Sequence, residues 1–67
     1  MDKFAERLKE LRTENNLTQV QLAKETGISR SNFYYWESGK KIPSADAVIT
    51  LARYFGVTTD YLLGESD

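Results

Sequence analysis

Apolar positions along the chain recur at intervals of three and four and no segment alternates with period two, so the pattern predicts helices and no strands. Phe4, Leu8 and Leu11, with Ala5 beside them, form the stripe of a first helix over about residues 2–15, which gives out at Asn15 and Asn16. Three later helix starts share one arrangement: an apolar residue, then Ser or Thr, then a second apolar residue four positions after that cap. It occurs as Leu17, Thr18, Leu22, as Ile28, Ser29, Phe33, and as Val57, Thr58, Leu62. This is the hydrophobic staple, and each cap satisfies backbone donors of the first turn for about 1 kcal/mol. Gln21, three residues after Thr18, completes a capping box and starts the second helix at Thr18. A helix over about 45–55 follows Pro43 and Ser44, with Ala45, Val48, Ile49, Ala52 and Phe55 expected on one buried face. Gly27, Gly39, Gly56 and Gly64 stand where helices should stop. The expectation is an all-α, compact five-helix globule, a single domain over residues 1–67.

Length and composition remove whole classes of function. A chain of 67 residues buries only about 60% of its unfolded surface, which argues against a large enzymatic cleft. Cysteine and histidine are both absent, taking away disulfides, thiolate nucleophiles and the commonest metal ligands and proton shuttles. No nucleophile–base pair, phosphate loop or metal cluster is present, so the chain is expected not to be an enzyme and to need no metal, cofactor or small-molecule ligand. No apolar run approaches the roughly 20 residues of a membrane span, and the start MDKFAERLKE is charged rather than signal-like, so a cytoplasmic protein without membrane contact is expected.

Net charge is −1 and the pI about 5.3, which by itself speaks against a nucleic-acid partner. Distribution changes that picture. Residues 1–14 balance four basic against four acidic side chains, whereas residues 15–45 set Lys24, Arg30, Lys40 and Lys41 against Glu25 and Glu37, for a net +2. The acidic excess lies in residues 46–67, where Arg53 faces Asp46, Asp60, Glu65 and Asp67. The central third is therefore the electropositive part.

Within that third, helices over about 18–26 and 29–37 meet across a short turn at Gly27, the spacing of a helix-turn-helix and also of a generic helical hairpin. Phase adds to it. With Phe33 set inward, Trp36 and Glu37 fall on the same side, Ser31, Tyr35 and Ser38 roughly opposite, and Asn32 and Tyr34 on the flanks. The outward face is thus polar but uncharged, made of groups able to reach base edges and phosphates, with Arg30 at the first helical position.

The runs LTQVQLAKETGIS, WESGKKIPS and FGVTTDYLLGE make the chain similar, over nearly its whole length, to the lambda-repressor and Cro type (Xre-like) helix-turn-helix regulators of bacteria and phages. The resemblance implies double-stranded DNA as partner, bound through the second helix of the motif in the major groove, and a homodimer on a pseudo-palindromic operator, acting most often as a repressor. It implies base contacts from Arg30, Ser31 and Tyr35, and phosphate contacts from Gln19, Gln21, Asn32, Ser38, Lys40 and Lys41. It also pairs Arg12 with Glu37 as an internal, structural ion pair, in keeping with the inward phase of both. Phe33 stands where the family more often has isoleucine or valine, Trp36 where leucine is also frequent, and the Tyr34–Tyr35 pair is unusual. The expected dimer surface is the segment from Phe55 to Leu63, where Tyr61, Leu62 and Leu63 supply apolar area. A protein-interaction module of antitoxin-like or co-regulator type is the alternative, left open by the weak overall charge.

Overall fold

Five helices follow one another along the described residues: α1 (Asp2–Glu14), α2 (Gln19–Thr26), α3 (Arg30–Glu37), α4 (Ala45–Phe55) and α5 (Thr59–Leu63). They are seen in a computed structural model that describes residues 2–67, with side chains from Lys3 onward; Met1, part of the expected domain, lies outside the described residues. None of these helices is long and apolar enough to cross a membrane.

The helix starts follow from local chemistry. Thr18 Oγ1 accepts from the Gln21 N–H at 3.1 Å while Gln21 Oε1 accepts from the Thr18 N–H at 2.8 Å, so the capping box is complete. Ser44 and Thr58 cap α4 and α5 through the N–H groups of Ala47 and Tyr61. Ser29 departs from the expectation: it occupies the N-cap position of α3 with extended backbone, but its side chain makes no capping bond. Its hydroxyl lies 3.2 Å from that of Ser31 instead, a local alternative that draws it off the first-turn N–H groups. Between α2 and α3 the chain turns at Gly27, whose φ of 73° lets its N–H reach the Ala23 carbonyl at 2.9 Å. A Cβ at Gly27 would meet nothing within 4 Å, so the left-handed backbone and not lack of space asks for glycine.

One apolar cluster holds the helices together. Phe4 and Leu8 of α1, Leu22 of α2, Phe33 and Trp36 of α3, Val48, Leu51 and Ala52 of α4 and Leu62 of α5 are all buried within it. Burial of each large member is worth about 1.5–3 kcal/mol. The Trp36 ring stands edge-on to Phe4 and Phe33, with centroids 6.0 and 5.4 Å away, and so anchors α3 to α1. α1 packs on α3 and α5, α2 on α3 and α4, and α4 on α5.

Two expectations are corrected by this packing. On α4 the buried stripe runs through Val48, Leu51, Ala52 and the half-buried Phe55, leaving Ala45 and Ile49 exposed. Ile49 and Leu51 lie on opposite flanks of Val48 and Ala52, and packing against the neighbouring helices selects the Leu51 side. At the C-terminal end Leu62 is completely buried and Leu63 packs against the core, so they offer less apolar surface than expected for a dimer contact. Tyr61 is covered by Arg7 of α1, whose guanidinium lies 4.3 Å from the ring centroid and donates to the carbonyls of Tyr61 and Ser66. The exposed aliphatic side chains include Ile42 at 66% and Ile49 at 41% exposure, the latter lining an apolar groove with Leu63 and Thr59 of α5.

Candidate nucleic-acid interface

The core anchors fix which side of α3 faces outward. With Phe33 and Trp36 buried, Arg30, Ser31, Tyr34, Tyr35 and Ser38 are exposed: Ser31 and Tyr35 lie opposite the buried anchors, while Arg30 is accessible as the first residue of the helix. Tyr34 and Tyr35 pack edge-to-face with ring centroids 5.3 Å apart, which restricts both rings while leaving each about half exposed. Ser38 Oγ donates to the Tyr35 carbonyl at 3.1 Å and closes the end of the helix. Asn32 is half-buried on the flank, and Lys41 Nζ donates to its Oδ1 at 2.9 Å, so that the Asn32 amide N–H groups are the ones left for an acceptor. Lys40, beside it, is exposed.

Behind this face an ion pair joins three helices. Arg12 donates through Nε and Nη2 to the two carboxylate oxygens of Glu37 at 2.7 and 2.9 Å, a bidentate fork, and through Nη1 to the Leu17 carbonyl at 2.8 Å. The two side chains are only 14% and 6% exposed. Hydrogen bonding to Glu37 holds the guanidinium pKa above its ordinary value, against the opposing effect of burial. Gln19, the first residue of α2, donates to the same carboxylate at 3.4 Å, so the pair also orients the amide expected to meet a phosphate. Gln21 has its side-chain oxygen engaged in the capping box, leaving its N–H groups as the donors it can offer.

Arg12, Gln19, Glu37 and Ser38 converge on an open cleft of about 280 Å³, together with Lys9 and Tyr34. Two of the expected phosphate residues, Gln19 and Ser38, are thus brought to one place, while Asn32 and Lys41 are joined in a separate pair. Lys9 was not singled out by its sequence: it lies one full helix away from the motif and shows only as one of the balanced charges of α1.

A polar outward helix, a turn set by a left-handed glycine and a preceding helix whose start abuts the same side together define a helix-turn-helix module. Residues 5–65 match the sequence model of a helix-turn-helix domain family, and the chain belongs to that family. Among its curated relatives, the HTH-type transcriptional activator BcrR of Enterococcus faecalis is 45% identical over 60 residues, 90% of this chain and 29% of that protein. The HTH-type transcriptional regulator MJ0272 of Methanocaldococcus jannaschii is 40% identical over 62 residues, covering 91% of this chain and 94% of the relative. The cryptic phage CTXphi transcriptional repressor RstR of Vibrio cholerae serotype O1 is 36% identical over 62 residues, 92% of this chain and 55% of the relative. The chain therefore spans less than two thirds of the length of BcrR and RstR.

Proposed function

We propose that this chain is a sequence-specific double-stranded DNA-binding regulator of transcription that inserts α3 into the major groove and acts as a repressor by occupying an operator. The observation that carries the reading is the exposed, uncharged hydrogen-bonding face of Ser31 and Tyr35, led by Arg30 and held by the buried Phe33 and Trp36. Arg30 has the fork that matches guanine O6 and N7, while Ser31 and Tyr35 offer hydroxyls to base edges. Gln19, Gln21, Asn32, Ser38, Lys40 and Lys41 grip the phosphates on either side. RstR is named a repressor and BcrR an activator, so either sense of regulation occurs among relatives. Repression is favoured because blocking a promoter needs only the surface described above. A single module of this kind buries about 600–1,000 Å² of protein surface on DNA, which favours a homodimer on a pseudo-palindrome with half-sites about one helical turn apart.

Selection from a random duplex pool at moderate salt tests this, with Ser31→Ala and Tyr35→Ala run in parallel. The expected result is a two-fold symmetric site whose preference relaxes at particular positions in each variant. No enrichment, with weak binding even at low salt, would overturn the DNA reading and turn the search toward a protein partner.

A further inference from the structure

The cleft between α1, the start of α2 and the end of α3 is electrostatically peculiar. Of its charged side chains, Arg12 and Glu37 neutralise one another through two hydrogen bonds, and Gln19, Tyr34 and Ser38 carry no charge. Lys9 is then what gives the cleft its net positive charge. It is exposed, lines the cleft, and among the described residues the one ion pair is that of Arg12 with Glu37, so its ammonium is not tied up in the fold. The acidic neighbours of Lys9 on α1, Glu6 and Glu10, do not line the cleft.

We propose that Lys9 is a DNA-backbone contact, supplying the cationic half of a phosphate seat whose neutral donors are the Gln19 amide and the Tyr34 hydroxyl, the Ser38 proton being engaged by the Tyr35 carbonyl. The inference rests on the DNA-binding reading and adds to it a residue outside the helix-turn-helix. The chemistry fits a phosphodiester. Arg12 uses three of its five N–H groups on Glu37 and Leu17, leaving two, and Gln19 is oriented by the same carboxylate; both are directional donors fixed in place. A flexible, strongly hydrated lysine beside them acts as a point charge that exchanges its counterion for the phosphate. The consequence is specific: Lys9 accounts for the counterion released at this seat, and the Arg12–Glu37 pair for none.

The measurement is the salt dependence of binding to a short duplex of random sequence, for the wild-type chain, Lys9→Gln and Lys24→Gln. Lys24 is an exposed lysine in the last turn of α2, at the opposite end of that helix from Gln19, and controls for net charge alone. Lys9→Gln is expected to lower the slope of log K against log salt by about 0.9 per bound protomer, so that its deficit in affinity shrinks about 3.5-fold between 50 and 200 mM salt. Lys24→Gln should keep the wild-type slope, and both variants should keep the wild-type thermal melt. A wild-type slope in Lys9→Gln, or equal losses of slope in both variants, would overturn the seat while leaving DNA binding intact. A wild-type chain that shows no salt-dependent binding would instead remove the reading on which the seat rests.

Discussion

The starts of α2 and α3 carry the same sequence arrangement and are held in opposite ways. At α2 the Thr18–Gln21 box satisfies the helix start from both sides at 2.8 and 3.1 Å. At α3 the Ser29 hydroxyl is turned to Ser31 and leaves the first-turn N–H groups uncapped by side chains. The difference lies in where each helix is fixed. α2 is defined locally, at its first turn, whereas α3 is secured by Phe33 and Trp36 in the core and by Glu37 at its far end. A helix that presents its first turn to a polyanion has reason to keep free N–H groups there, since they and the helix dipole favour negative charge.

The strongest way to break this contrast is at the far end of α3. Glu37→Gln removes the carboxylate that receives both Arg12 bonds and the Gln19 amide, and strands a mostly buried guanidinium. The expected loss is about 3 kcal/mol, a fall in Tm of roughly 12–24 °C for a domain this small. A thermal melt checks it, and an unchanged midpoint would mean that α3 is not held from this end.

Much of this architecture was legible in the sequence because helix starts, stops and stripes are local. The Thr18 box, the turn at Gly27 and the Arg12–Glu37 pair needed only residue types at fixed offsets, or a family resemblance, to be expected. What was hidden depends on choices that the chain makes in three dimensions. Ile49 and Leu51 are equally apolar, and only the neighbouring helices decide that Leu51 goes inside. The Arg7 clasp on Tyr61 was invisible because two of its acceptors are main-chain carbonyls, 54 and 59 positions away, which leave no mark in side-chain type. Lys9 was hidden for a related reason: only the packing of α1 on α3 brings it to the cleft lined by Gln19, Tyr34 and Ser38. Ser31 and Tyr35 are exposed as the phase argument implied, and Arg30 is exposed at the first helical position; the base contacts proposed for the three rest on the selection experiment.

A milder substitution sharpens the contrast at α2. Thr18→Ala removes the hydroxyl acceptor of the box while leaving the Leu17–Leu22 staple in place, and should cost about 1 kcal/mol, or some 4–8 °C in Tm. The loss belongs to the folded helix start, so urea midpoints should fall with an unchanged m-value.

The smallest effect is expected at the equivalent position of α3. Ser29→Ala deletes a hydroxyl whose partner is another exposed hydroxyl, 3.2 Å away, and which caps no N–H group of the helix. Stability should therefore change by less than about 0.5 kcal/mol, as for a surface substitution without a special role. A loss as large as that of Thr18→Ala would show that Ser29 caps α3 in solution, and the two helix starts would then be alike. If stability holds, the same variant isolates the DNA side of the argument. Releasing the Ser31 hydroxyl from Ser29 should change its freedom at the reading face without moving the helix that carries it. The selected site would then shift at the position read by Ser31 and nowhere else.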